Sequence, residues 1–296
     1  MGAYAEVESG SAENDSRNIP IAGDMFSGWI ERQIERDPES AVLFYKKKSR
    51  RAQRKDGAAA PRTLNLRKEY AVALHRVGRN EEAEAELTAM IAERGPMPNG
   101  NDESVRSARI WHARLLYELG RFTEAEAEWR ELSAEYDRLL GADHSDAIET
   151  HEEHAATLAK LDRLAEAEAE QADVVEKRTA ANGTDAPNTL RARTTYAYFQ
   201  GLLGRHAEAE VAWRALVDAS DRTDGSSHAD TILTREMLAG TLYRLRRLQE
   251  SAEEWRAVID LRTASIGAEH TDTKRARDWL AAVQRELEGP DQAPTV

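Results

Sequence analysis

The chain has 296 residues, 41% of them hydrophobic and 32% charged, and 54 Asp and Glu against 41 Lys and Arg give a formal net charge of −13. Such an acidic surface disfavours nucleic acid and anionic membranes as general partners. No apolar run approaches the roughly 20 residues that span a bilayer, and the lack of cysteine excludes disulfides, thiolate nucleophiles and cysteine metal sites.

Met1 to Glu8 carry acids where a secretory signal carries basic residues and an apolar core, so a cytoplasmic location is expected. Residues 1–20 are poor in large apolar side chains, and a segment that cannot offset its ordering entropy by burial is expected to be a flexible acidic tail. Residues 21–56 read as a degenerate N-terminal helical repeat. Met25, Phe26, Trp29, Ile30 and Ile34 fall at helical spacing, and Asp37-Pro38-Glu39-Ser40 predicts a turn that restarts a helix with Pro in its first turn. The segment ends in Lys46 to Lys55, seven basic residues in ten with no acid. Two readings apply. The run is a patch for phosphate, nucleic acid or an acidic partner, or it is a solvated helix end whose cations suit the C-terminal dipole before Gly57. No aromatic residue interleaves the charges, which favours the second.

From Gly57 to about residue 289 the chain repeats. Gly78-Arg79, Gly120-Arg121 and Gly204-Arg205 are separated by 42 and 84 residues, Asp162-Arg163 and Arg246-Arg247 fill the same register, and a fixed period of this size marks a repeat array. Each unit predicts two amphipathic helices. Ala71, Ala113, Ala155, Ala197 and Ala239, continued by Ala281, place a small residue in every first helix. Ala83, Ala125, Ala167, Ala209 and Ser251 do so in every second helix, four residues before the bulky column Leu87, Trp129, Gln171, Trp213 and Trp255. Large side chains facing small ones at fixed offsets are how stacked helices interdigitate. Turns between units recur around Gly141, Gly183, Gly225 and Gly267, each followed by an Asp or Asn suited to an N-cap. The expected architecture is all-α: a right-handed α-solenoid of five stacked helix-turn-helix repeats over 57–289, closed by a C-terminal capping helix, with 290–296 as a tail.

The small residue in helix one, the turn Gly, the Ala of helix two and the bulky residue after it resemble the tetratricopeptide repeat. The 42-residue period and turns such as Gly267 to Thr273 are similar to the subtype found in kinesin light chains and many bacterial repeat proteins. The resemblance implies a protein-interaction scaffold, not an enzyme, taking a peptide or helical segment of a partner in its concave groove. In the kinesin type an Asn usually precedes the Leu-Ala pair of helix one. Here that column is Glu69, Trp111, Glu153, Thr195 and Met237, so kinesin-type cargo recognition does not carry over.

In such an array the first helices line the groove. Their off-core residues Trp111, Arg114, Tyr117, Thr195, Tyr198, Met237, Tyr243 and Arg244 are the expected partner-binding set, rich in the aromatic and Arg anchors of protein interfaces. The columns Arg79, Arg121, Arg163, Arg205, Arg247 and Arg67, Arg109, His151, Arg193, Arg235, Arg277 recur in every unit and so read as structure, since a catalytic group is needed once. Glu82, Glu124, Glu166, Glu208 and Glu250 lie three residues beyond the first of these, in reach of local pairing. The one constellation resembling metal chemistry is His112, His151, Glu152 and His154, but His-Glu-Glu-His misses the zinc-protease spacing by one residue. His112 and His154 also fall in a core-lining column with Tyr70, Tyr196 and Leu238, and His144 in a turn column with His228 and His270. No catalytic residue, metal or cofactor is therefore assigned. The expected partner is a protein or peptide, with nucleic acid disfavoured, no membrane, and a homo-oligomer left open.

Overall fold

A computed structural model describes residues 37–94, 103–223 and 229–288, which form twelve α-helices and no strand. The expected tails, the helix over Met25 to Ile34 and the turn at Gly225 to His228 lie outside the described residues. The structure divides into two compact units between Glu86 and Leu87.

In the first unit α1 (Pro38–Asp56) starts with Pro in its first turn, as the Asp37-Pro38 dipeptide predicts, and Ser40 Oγ donates to Asp37 Oδ2 at 2.5 Å. It buries Ala41, Val42, Ser49 and Ala52 and packs on α2 (Pro61–Arg76), whose core side is Leu64, Tyr70, Ala71 and Leu74. The helix α3 (Asn80–Arg94) crosses the division and sets Ala83, fully buried, on its first-unit portion.

The second unit continues as α4 (Glu103–Glu118), α5 (Phe122–Leu140), α6 (Ser145–Lys160), α7 (Leu164–Asn182), α8 (Pro187–Leu202), α9 (His206–Thr223), α10 (Ala229–Arg244), α11 (Leu248–Ile266) and α12 (Thr271–Glu288). From α4 onward each helix packs on the next, so contacts are between sequence neighbours, the hallmark of a solenoid. The small columns are the core: Ala113, Ala155, Ala197 and Ala239 are fully buried, as are Ala125, Ala167, Ala209 and Ser251. Ser251 satisfies its hydroxyl on Ala239 O at 2.8 Å. Ala281 departs from its column and is exposed, because α12 has no second helix after it among the described residues.

Within each repeat the turn is closed by an N–H five residues on. Arg79 N–H donates to Leu74 O at 2.9 Å, Arg121 to Leu116 at 2.9 Å and Arg163 to Leu158 at 3.0 Å, the long bond of a Schellman helix end. The residue before that Arg takes positive φ: Gly78 +77°, Gly120 +74° and Gly204 +77°, but also Asp162 and Arg246, each at +61°. The inter-repeat glycines differ from expectation. Gly141 (φ 91°, ψ 146°) and Gly183 (φ 87°, ψ 164°) have positive φ but extended ψ, so they throw the chain off the helix instead of curling it left-handed. The N-cap also moves by two residues. His144 Nδ1 accepts the Asp146 N–H at 3.2 Å and His270 Nδ1 that of Asp272 at 3.2 Å, leaving each Asp in the first turn, where its charge suits the helix dipole.

Four of the five Arg-Glu turn pairs form as expected, for example Arg121 Nη2 to Glu124 at 2.6 Å and Arg247 Nη2 to Glu250 at 2.6 Å. Arg205 instead reaches back to Glu168 at 2.9 Å. The second cationic column pairs with a carboxylate nineteen residues later on the partner helix: Arg67 with Glu86 at 2.6 Å, Arg109 with Glu128 at 2.5 Å, His151 with Glu170 at 2.7 Å and Arg235 with Glu254 at 3.2 Å. Arg193 has Ala212 at that offset and turns to Thr184 O at 3.3 Å.

Candidate functional site

One helical stripe of each first helix faces outward beside the core. In α4 it is Ser107, Trp111 and Arg114, a spacing of i, i+4 and i+7 that puts side chains on one face. Adding 42 gives Glu149, Glu153 and Ala156 on α6, then Arg191, Thr195 and Tyr198 on α8, and Leu233, Met237 and Gly240 on α10. All twelve of these residues line three hollows of the second unit. The bulky second-helix column lies beneath them: Trp129 lines the first hollow, Gln171 the second, and Trp213 and Trp255 the third. The packing column is thus also the floor.

The first two hollows, about 230 and 330 Å³, are lined by charged residues with carboxylates in excess, and their arginines are paired within them. Arg114 lies across the boundary between them, 2.7 Å from Glu149 and 2.9 Å from Glu153, with its guanidinium 6.0 Å above the Trp111 ring. Arg191 lies 3.2 Å from Glu152.

The third hollow is different. It has a volume of about 510 Å³ between α8, α10 and α12 and is lined by Tyr198, Leu202, Leu233, Met237, Tyr243 and Trp279 among others. Tyr198, Leu202, Leu233 and Trp279 are each 46–49% exposed, so large apolar side chains converge on water here. Trp279 stacks on Trp255 (centroids 6.0 Å, planes 5° apart) and meets the edge of Tyr243 at 6.4 Å. The Tyr243 hydroxyl donates to Glu286, which holds that ring at the rim. Glu236 sits buried in the wall. Burial is the largest influence on its carboxyl and pushes it up, against Arg262 at 2.8 Å and Arg275.

The structure therefore brings Tyr198, Met237, Tyr243 and Arg244 together in one hollow, and Arg114, Trp111 and Thr195 into the two polar ones. Tyr117 lines none of these three. It packs half-buried on the α4–α5 core, edge-on to Phe122 at 5.2 Å. Trp279 and Leu233 belong to the third hollow without having been expected there. Both were within reach of the repeat register, because Trp279 is 42 residues beyond Met237 and Leu233 is 42 beyond Arg191.

The histidine constellation does not assemble. Glu152 pairs with Arg178 at 3.1 Å and Arg191 at 3.2 Å, and His112 Nε2 lies 3.3 Å from Thr88 Oγ1. His151 and His154 face carboxylates on α5 and α7, and His144 is a helix cap. Among the described residues no group of three or more His, Asp or Glu is arranged to hold a metal ion. None of their helices is long and apolar enough to cross a membrane.

Consecutive helix pairs with groove-lining first helices define an all-α repeat solenoid. A tetratricopeptide repeat family model matches residues 113–146 and 231–272. Among solved structures, the kinesin light chain nearly identical TPR-like repeats of Podosopora anserina superimpose with a TM-score of 0.63 at 19% identity, covering 70% of this chain and 98% of that one. BtubC (BKLC) from P. vanneervenii gives 0.59 at 11% identity over 88% and 96%, and a tetratricopeptide repeat protein from Parabacteroides merdae 0.55 at 16% over 90% and 94%. No curated protein matches the sequence significantly. The sequence match marks tetratricopeptide repeats over those two stretches, and the fold is that of a kinesin-light-chain-like tetratricopeptide repeat solenoid.

Proposed function

We propose that this protein is a non-enzymatic, cytoplasmic interaction scaffold that holds a peptide or helical segment of a partner protein along the first-helix stripes. The partner's anchor is a bulky apolar side chain seated in the α8–α10–α12 hollow. The observation that carries the reading is the convergence there of Tyr198, Leu202, Leu233 and Trp279, nearly half exposed, over a floor of Trp213 and Trp255. Solvent-facing apolar side chains gathered in a concave site mark interaction surfaces. Arg114 and Arg191, already neutralised by Glu149, Glu153 and Glu152, supply polar positioning next to it. The test is a photo-crosslinking residue at Met237 in the native cell. Protein adducts should form there and vanish in the Tyr198→Ala, Trp279→Ala double variant. An adduct pattern identical to that from a crosslinker at Val211, exposed on α9, would remove the proposal.

A second reading rests on α1. Lys47, Lys48, Arg50, Arg51, Arg54 and Lys55 are all exposed, and no carboxylate among the described residues pairs with them. Most lie too far from the helix end for its dipole to explain them. We read this face as a contact for a phosphate-bearing polyanion. Retention on heparin that ignores both salt and the Lys47→Glu, Arg51→Glu double variant would dispose of it.

A further inference from the structure

We infer that His151 makes the junction of α5, α6 and α7 a proton-dependent clamp, tight when its imidazole is charged and loose when it is neutral. The position belongs to the column otherwise held by Arg67, Arg109, Arg193, Arg235 and Arg277. Arg109 shows what the column does, reaching Glu128, Glu131 and Glu135 at 2.5, 2.9 and 3.0 Å and tying α4 to α5 with a cation that does not titrate. His151 instead spans two helices, as Arg235 does with Asp221 and Glu254: Nδ1 lies 2.7 Å from Glu170 on α7 and Nε2 3.1 Å from Asp137 on α5. An imidazole bonded to carboxylates through both nitrogens must carry both protons, because the neutral ring has one donor only. Loss of one proton to solvent leaves either Asp137 or Glu170 facing a lone pair, and one helix is released.

The surroundings concentrate the effect. Glu170 is shared, its second oxygen lying 2.7 Å from His154 Nδ1, while His154 Nε2 lies 3.4 Å from the buried Glu126 of α5. Glu126 is in turn 3.1 Å from Arg163 and 3.3 Å from Arg130, and Glu166 lies near His154 from α7 but is held by Arg163 at 2.6 Å. On α6 itself Glu152 is taken by Arg178 and Arg191, and Glu149 and Glu153 by Arg114. No arginine or lysine forms an ion pair with Glu170 or Asp137 among the described residues, so a positive charge facing these two carboxylates has to come from His151.

The sign follows from the contacts. The hydrogen bond to Glu170 is the largest influence on His151 and raises it above the ordinary histidine value, with Asp137 adding and burial opposing. A group raised in the folded state contributes stability that is complete below its unfolded value and is lost as pH rises through the folded one. Glu170, held below the usual carboxylate range by the two histidines although burial pushes it up, contributes above the unfolded carboxylate value and fails in acid. The clamp therefore opens on the alkaline side.

Amide hydrogen exchange on the full chain, corrected for the intrinsic pH dependence of exchange, tests this. Between pH 6 and 9 the α6 amides should lose at least tenfold of protection relative to those of α10, whose clamp is Arg235. His151→Arg should abolish the difference. Should that variant not fold, nitrogen-detected NMR of the wild-type imidazole decides alone, with both ring nitrogens protonated at pH 6 and one released as α6 protection falls. Equal pH dependence of α6 and α10, or a His151 ring carrying one proton at pH 6, overturns the inference.

Discussion

The residues that say most about this chain are those that break a column. Asp162 and Arg246 stand where Gly78, Gly120 and Gly204 stand in the other repeats, and both are held at φ +61°. For a residue with a Cβ that conformation costs roughly 1–2 kcal/mol, less for Asp, whose short side chain tolerates it. Arg246 gains an ion pair with Glu286 in return, but an exposed pair is worth about 0–1 kcal/mol. Arg246→Gly should therefore raise unfolding stability by at most about 1 kcal/mol, and Asp162→Gly by less, measured by urea denaturation. The reverse change Gly120→Ala should cost about 1 kcal/mol, because its site is open and only the backbone angle objects. If Arg246→Gly proved clearly destabilising while Gly120→Ala was costly, the Glu286 contact would be stronger than an exposed pair should be.

At the scale of helices, most of the fold was legible in the sequence and less of the site. A core position must repeat in every unit, so Ala113, Ala155, Ala197 and Ala239 announce themselves by period, and they are fully buried. Binding positions follow the same register but not the same residue type. The column Trp111, Glu153, Thr195, Met237 and Trp279 changes chemistry at every step, and only its geometry is constant. That is why a capping-helix reading of α12 passes over Trp279, and why Tyr117 reads as a groove residue: its register mate Tyr243 does line the third hollow, whereas Tyr117 packs edge-on against Phe122. The nineteen-residue Arg-Glu pairing was not expected either, because it joins two helices of one repeat across space. The clamp logic can be transplanted. Arg109→His places an imidazole among Glu128, Glu131 and Glu135, and burial of the Arg109 site is outweighed by those three acids in raising its cation. The variant should match wild type near pH 6 and lose stability as pH rises above neutral, by about 1.5–3 kcal/mol, the worth of a hydrogen bond to a charged group. A pH-independent penalty would mean that the ring cannot reach the carboxylates.

Helix-level rules also govern the third hollow. Trp279 is nearly half exposed, so Trp279→Ala should cost only roughly 1 kcal/mol of stability, mainly its stacking on Trp255. Its effect on crosslinking at Met237 should be far larger. A variant that lost stability and adducts in equal proportion would make Trp279 a core residue instead of a binding one.

Across the second unit, contacts join neighbours in sequence and stability should accumulate junction by junction. The helix α12 is then more than a lid on a groove. It covers Trp255 and Val258 through Ala276 and Val283, both essentially buried, with Leu280 and Leu287 packed beside them. A chain ending at Ile266 loses that face, and Trp255 is left over water. A nearest-neighbour array then predicts a local result. Amides of α10 and α11 should lose most of their protection from exchange, while those of α5, α6 and α7, at least three junctions away, keep theirs within about threefold. Uniform loss along the unit would show that the repeats fold as one cooperative block. The local outcome has a functional corollary, because Tyr198 lies on α8 while Met237 and Tyr243 lie on α10 and Trp279 on α12. The hollow is assembled from α8, α10 and α12, so occupation by an apolar anchor should raise the protection of α10 and α12 far more than that of α5.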